Sequence, residues 1–356
     1  MTTAPLRVAL IGYGFAGRSF HAPLIRAIPG LDLSIVASGD AAKVHADLLD
    51  AEVIGDALRA ISDPRVELVV IASPNDSHAP LARAALLAGK HVVVDKPFTL
   101  SLHEARELAA LAQEHGRLLS VFQNRRWDTD FLAIRQAIDD GLVGEPVHLE
   151  SRIERFRPEV RVRWREQAGV GSGLWWDLGP HLVDQALQLF GLPDRVQASF
   201  ALQRAGAATT DWAHVVLEHG ARRAVLHADM LTAGGQTRFA VHGTLGSAVK
   251  AKADPQESQL LAGVRPGDAD WGRDDDPLMV HDGSHEPRPL ATPRGDQSRY
   301  YAAIADALRG YGRNPVPPAQ AVAVMAVLEA AVEAAETGRA VALPLSDAER
   351  EAFTGS

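Results

Sequence analysis

A glycine turn set between a strand and a helix constrains this chain more than any other feature. Leu6–Ile11 is a short apolar run of strand length. Gly12-Tyr13-Gly14-Phe15-Ala16-Gly17 follows it and opens a helical stretch that reaches Ile28. In a GxGxxG turn the first glycine permits the tight bend and the second lets the backbone approach a pyrophosphate. The third lets helix and strand pack closely. The helix opening there adds free N–H groups and the positive end of its dipole. Glycines also make ordinary turns, so the pattern gains its weight from standing between a strand and a helix.

The rest of the first third repeats the alternation. Leu31–Ala37, Val66–Ala72, His91–Val94 and Leu118–Phe122 read as strands, and helices run between them to Leu87 and over Ser101–His115. Pro29-Gly30 and Gly89 punctuate the helices. Strands alternating with helices imply βαβ units and a doubly wound parallel sheet. A boundary near Phe122 gives domains 1–122 and 123–356, a comfortable division for 356 residues. Beyond a helix at Phe131–Asp139 the rhythm changes. Val147–Phe156, Arg195–Leu202, Ala213–Glu218, Ala224–Leu231 and Arg238–Val241 read as longer strands, and His219-Gly220 marks a hairpin. Strands joined by turns predict an antiparallel sheet. Residues 254–295, rich in Pro, Gly and Asp, read as a long surface excursion, and two helices, Gln297–Leu308 and Ala319–Thr337, close the chain. Too few helices follow the second sheet to cover both its faces, so an exposed apolar face and a homo-oligomer, dimer or larger, are expected.

Composition excludes several partners. A net charge of −9 argues against nucleic acid and anionic membrane, which reward cationic faces. The absence of cysteine removes disulfides, thiolate metal ligands and cysteine nucleophiles. No metal site is expected. Residues Met1–Leu6 lack the features of a signal peptide. No apolar run approaches the ~20 residues that span a bilayer. The last helix carries Gln320, Glu329, Glu333 and Glu336 and reads as amphipathic. Cytoplasm is the expected compartment.

Three further segments carry chemistry-bearing residues. Ser73-Pro74-Asn75 ends a strand, where the crevice of an open α/β sheet holds its ligand. The same position suits Asn75 or Asp76 as a helix cap. Asp95-Lys96-Pro97 follows His91–Val94 directly. The chain has five lysines against 31 arginines, so a lysine at a strand's carboxyl end stands out. A desolvated lysine exchanges protons near neutrality, whereas an arginine does not; a surface lysine at a loop start is the plain alternative. The third segment is Gly171-Ser172-Gly173-Leu174-Trp175-Trp176-Asp177-Leu178-Gly179-Pro180-His181-Leu182-Val183-Asp184. Pro180 suits the first turn of a helix running to Phe190. Asp177 then lies just before it, and His181, Asp184 and Gln188 share one face. An N-terminal carboxylate beside an ordinary polar face reads equally well from periodicity.

Together GYGFAG, SPNDSH, GKHVVVDKP and GSGLWWDLGPHLVD resemble the Gfo/Idh/MocA oxidoreductases in order and spacing, from Leu6 to about Pro344. The resemblance implies a Rossmann domain followed by an α/β domain with an open, mainly antiparallel sheet. It implies a nicotinamide cofactor held by Gly12, Tyr13, Gly14, Phe15, Gly17, Ser73, Pro74, Asn75, His78, Asp95, Lys96, Pro97 and Asn124. It places Lys96, Asp177 and His181 in catalysis and, with Arg165 and Asp184, beside the substrate, Arg165 also reaching the cofactor. Asp95 stands where the family pattern usually has Glu. Gln123-Asn124-Arg125-Arg126-Trp127 matches the segment passing the nicotinamide. Trp164-Arg165 is similar to the NADP-dependent scyllo-inositol dehydrogenases. The implied reaction is hydride exchange between the cofactor and a secondary alcohol or carbonyl of a sugar or polyol. A glycoside-cleaving relative with tightly held NAD, and a non-catalytic nucleotide-dependent binding protein, are the alternatives. Ser38 stands where NAD-specific domains place a carboxylate, and Lys43 follows, so NADP(H) is expected over NAD(H).

Overall fold

The computed structural model describes residues 4–162, 166–234 and 237–355; Trp164 and Arg165 lie outside the described residues. The chain forms two compact units. The first comprises Met1–Asn124, Gln256–Trp271 and Asp296–Val322, and the second Arg125–Pro255, Gly272–Gly295 and Ala323–Ser356.

The first unit is built on six parallel strands: β1 (Leu6–Ile11), β2 (Leu31–Ala37), β3 (Glu52–Ile54), β4 (Leu68–Ile71), β5 (His91–Val94) and β6 (Leu119–Val121). Their spatial order is β3-β2-β1-β4-β5-β6. Every residue of β4 is buried, as a central strand covered on both faces requires. Helices α1 (Ala22–Arg26), α2 (Ala41–His45), α3 (Ala57–Ile61), α4 (His78–Leu87) and α5 (Leu102–Glu114) connect the strands. Ser101 and Glu104 form a reciprocal capping box at α5. Strand order reverses between β1 and β4, and such a switch point opens a crevice at the strands' carboxyl ends.

The second unit contains α6 (Thr129–Asp139) and α7 (Leu174–Phe190) and a sheet of nine strands. These are β7 (Pro146–Glu154), β8 (Arg195–Ala201), β9 (Trp212–His219), β10 (Arg222–Asp229), β11 (Phe239–Gly243), β12 (Ser247–Lys250), β13 (Leu278–His281), β14 (Arg288–Leu290) and β15 (Val341–Ala342). The order is β14-β13-β12-β11-β7-β10-β9-β8-β15. The sheet is mainly antiparallel, but β7 and β10 run parallel. The sheet is thus the mainly antiparallel one expected, and its parallel pair arises because α7 carries the chain away from β7 before β8, β9 and β10 return to it. The hairpin falls where the sequence placed it, with His219 paired to Arg222 and Gly220 at φ +58°.

Four expectations need correction. The excursion 254–295 holds α8 (Gln256–Leu261), β13 and β14, so part of it extends the sheet. Its Pro, Gly and Asp content hid two short strands. Pro180 lies inside α7 rather than in its first turn: the helix begins at Leu174, with Gly173 as N-cap. Asp177 is therefore within the helix, not before it. The chain ends with three helices, α9 (Ser298–Leu308), α10 (Pro318–Thr337) and α11 (Asp347–Thr354). Finally, α10 is not amphipathic over its first half, since every residue from Gln320 to Leu328 is buried. Its small alanine and valine side chains permit contact all round. Among the described residues it is the one helix long and apolar enough to cross a membrane, and 67% of its apolar window is buried inside the protein.

Ala224, Leu226 and Ala228 of β10 are wholly buried on the α7 side. The opposite face is not the apolar surface expected. Along β10, Val225 lies beside Glu150 and Val216, His227 beside Arg152 and His214, and Asp229 beside Glu154 and Trp212. Alternation put apolar residues inward, and polar and histidine side chains dominate the other face.

Candidate active site

The glycine turn divides its labour among three positions. Gly12 has φ +97°, and a Cβ there would meet the Ala72 carbonyl oxygen at 2.8 Å. A Cβ on Gly17 would stand 2.2 Å from the Gly12 carbonyl oxygen. Both positions are closed by backbone. Around Gly14 a Cβ meets nothing within 4 Å. Helical backbone starts at Phe15 and continues to Arg26, passing through a π turn at Gly17–His21. Open space beside Gly14 at this helix start fits a dinucleotide's pyrophosphate. Tyr13 turns to Asp47, donating its hydroxyl proton at 3.1 Å, and burial and the Asp47 charge push its phenol up to about 12. Phe15 is 59% exposed and meets Phe20 edge to face.

At the end of β2, the Asp40 backbone N–H donates to Ser38 Oγ at 3.2 Å. The Asp40 carboxylate caps α2 by accepting the Lys43 backbone N–H at 2.9 Å. Gly39 has open space where a side chain would stand.

The turns after β4 and β5 are tied together. Asn75 is buried in a short 3-10 turn, and neither it nor Asp76 is the cap of α4, a position held by Ser77. Ser73 and Ser77 hydroxyls meet at 2.6 Å. The His78 ring is buried; its Nδ1 lies 2.8 Å from the Pro97 carbonyl oxygen and its Nε2 3.0 Å from that of Ser73. Burial holds its pKa below the ordinary histidine value. His78 thus lies between the two turns, its single ring proton donated to one of these carbonyls. Asp95 is buried, and its Oδ1 accepts the Lys96 backbone N–H at 2.8 Å. The Lys96–Pro97 peptide is cis, and Lys96 is half-buried. Two of the other lysines are structural: Lys90 caps the Asp63 and Val66 carbonyls at 2.8 and 2.7 Å, and Lys250 pairs with Asp274 and Asp276. Asn124 donates its side-chain amide to Gln297 Oε1 at 2.9 Å.

In the second unit, α7 carries the other candidates. Gly173 has φ +91°, and a Cβ there would reach Thr209 Oγ1 at 2.5 Å. Asp177 lies in the first turn, with His181 one turn on along the same face. Pro180 has no N–H, which leaves the Trp176 carbonyl without its usual helical donor. His181 is 5% exposed. Asp177 lines a small cavity with Glu166 and Arg204. Asp184 is buried in a bidentate pair with Arg126 at 2.6 and 2.9 Å. The pair fixes the segment after Asn124 to α7, aided by Gln185 donating to the Arg125 carbonyl at 3.0 Å. Sequence reasoning gave Arg126 no role beyond its place in the segment passing the nicotinamide, and none to Arg238, which pairs with Asp130 at 2.9 Å. Nothing local distinguishes them from surface arginines, because their acidic partners are far away in sequence. Glu154, His227 and Asp229 come close enough to hold a cation on the polar sheet face. Asp229 is already engaged there by His227 at 3.0 Å and by the Thr232 hydroxyl at 2.6 Å.

A parallel sheet with a glycine turn at its switch point, joined to a mainly antiparallel α/β unit, defines a dinucleotide-dependent oxidoreductase. The chain belongs to the Gfo/Idh/MocA family. Residues 6–123 match the oxidoreductase family's NAD-binding Rossmann fold and residues 135–343 its C-terminal alpha/beta domain. It is similar to YdgJ of Escherichia coli, an uncharacterized oxidoreductase, with 50% identity over 93% of this chain and 96% of that one. IolW of Bacillus subtilis, an NADP(+) scyllo-inositol 2-dehydrogenase, is 34% identical over 95% of this chain and 96% of its own. A crystal structure from Klebsiella pneumoniae superimposes with a TM-score of 0.94 at 59% identity, covering 99% of both chains.

Proposed function

We propose that the protein catalyses net hydride transfer between NADP(H) and a secondary alcohol or carbonyl of a sugar or polyol, inositol-like in its array of hydroxyls. The nicotinamide, when bound, supplies or accepts the hydride. The observation that carries the reading is the open space at Gly14, framed by two glycines closed by backbone, in a chain that keeps Lys96, Asp177 and His181. In this reading Lys96 polarises the substrate oxygen, and its ammonium or the His181 imidazole exchanges the hydroxyl proton. Asp177 orients His181 or binds a neighbouring hydroxyl. Asp184 acts through Arg126, its carboxylate being occupied. Arg165 is assigned to substrate on resemblance alone. IolW's name supports the polyol class and the cofactor.

The turn after β2 supports NADP. An NAD-selective site needs a carboxylate for the ribose 2′-hydroxyl. Ser38 is neutral, Gly39 leaves room, and Asp40 is engaged as a helix cap. Lys43 supplies positive charge. The test compares kcat/KM for NADP and NAD on one substrate. Preference for NADP, erased by Ser38→Asp and weakened by Lys43→Ala, is expected. Preference for NAD would overturn this assignment and turn suspicion to Asp40. The same reading includes self-association through the second sheet, no nucleic-acid or membrane partner, and a cytoplasmic setting.

A further inference from the structure

Beneath Asp95 lies a buried histidine that the hydride-transfer reading leaves unused. His21 sits on the helix after the glycine turn, wholly buried, its ring packed at a tilt against Phe122 with centroids 4.2 Å apart. Its Nδ1 is 2.5 Å from the Tyr301 hydroxyl. Burial, with Tyr300 and Asp95 nearby, pushes the Tyr301 phenol well above its ordinary value, so it stays protonated and can donate to Nδ1. In the tautomer in which Tyr301 donates, the ring proton of His21 resides on Nε2, which faces Asp95 Oδ1 at 3.7 Å and has no hydrogen-bond partner.

Asp95 needs such a neighbour. Burial pushes its carboxyl up, yet the His21 ring, with the Lys96 charge, brings it down to about 2. The titratable groups acting on it come from three helices and its own turn: His21, His78 on α4, Tyr301 on α9, and Lys96. His78 lies between two carbonyls, and Lys96 has a flexible stem. His21 is the rigid one, locked by Tyr301.

We propose that His21 is a positioning residue for Lys96, acting through Asp95. It keeps Asp95 ionised, so that the carboxylate holds the Lys96 backbone and leaves a fixed negative charge behind the ammonium. The proposal rests on the role given to Lys96 above. Without His21 a buried carboxyl loses a partner that lowers its pKa. It then protonates as pH falls, and the hold on Lys96 weakens.

The test pairs His21→Phe, which fills the space but cannot donate, with His21→Gln, which restores an N–H. Carbon-13 NMR of the Asp95 carboxyl in the full-length protein, without substrate, reads its titration directly. His21→Phe should raise the Asp95 midpoint by about one pH unit or more, and His21→Gln should recover part of the shift. In turnover the acidic limb of kcat should move the same way, with the Kd for NADPH within about twofold of the parent. An unmoved Asp95 midpoint in a folded His21→Phe protein overturns the proposal, as does an acidic limb that shifts equally in an Asp95→Asn background. Should Lys96→Met prove fully active while the Asp95 midpoint still moves, the reading of Lys96 fails and the His21–Asp95 coupling stands.

Discussion

Gly14 and Gly17 differ in what a methyl group would meet, and that difference separates binding from folding. Gly17→Ala sets a Cβ 2.2 Å from backbone, so it should lower stability by ~1–3 kcal/mol, read as a fall in Tm. Gly14→Ala meets only open space, so its Tm should match the parent while dinucleotide affinity falls, measured by nucleotide fluorescence titration. Equal Tm losses in both variants would contradict the assignment of Gly14 to the ligand. Lys96→Met and His181→Ala should remain folded and nucleotide-binding yet lose ~10²–10⁴ in kcat, the usual worth of a general acid or base. Near-parental turnover in either would remove that residue from the chemistry. The glycines were legible in the sequence because their spacing between a strand and a helix is a local pattern. His21 and Arg126 were not, because burial and partners such as Tyr301 and Asp184 come from distant parts of the chain.

Among the elements, short-range patterns were read well and chain-reversing ones less so. Strands β1, β2, β4, β5 and β6 and the β9–β10 hairpin follow from apolar runs and turn residues, whereas β3, three residues at the sheet edge, was not read. The start of α7 was missed because Pro180 looked like a first-turn residue, while the true start depends on Gly173 fitting against Thr209 and Thr210. Strands β13 and β14 were missed because three or four residues amid Pro, Gly and Asp give little periodicity. Lys250 shows what holds that region. Its ammonium, wholly buried at the end of β12, pairs with Asp274 at 3.0 Å and with Asp276. Lys250→Ala leaves two carboxylates facing a cavity and should cost roughly 3–5 kcal/mol, checked by urea unfolding. Lys250→Met together with Asp274→Asn and Asp276→Asn should recover part of the loss. No recovery would show that the cost lies in packing rather than in unpaired charge.

At the scale of the whole molecule, acid should destabilise the fold. Burial holds the pKa values of His78, His91, His214 and His219 below the ordinary value. The unfolded chain therefore binds more protons, so the stability these groups contribute is fully present above about pH 6.5 and is lost as pH falls through their folded values. Tm measured from pH 8 to pH 5 should fall in the lower half of the range; a flat or rising profile would contradict the buried neutral rings. The polar face of the second sheet changes the argument for self-association from apolar burial to charge and hydrogen bonding. Sedimentation should show an oligomer at micromolar protein that loosens in high salt, and a monomer in low salt would refute it. The central claim is net hydride transfer to or from a polyol. Its most direct test is absorbance of the reduced nicotinamide while inositols, aldoses and ketoses are offered with NADP and NAD. The account predicts stoichiometric formation of NADPH with at least one polyol, slowed ~10²–10⁴-fold by Lys96→Met and by His181→Ala. Glycoside consumed with no net change in nicotinamide, or nucleotide bound with no turnover on any member of the panel, would contradict it.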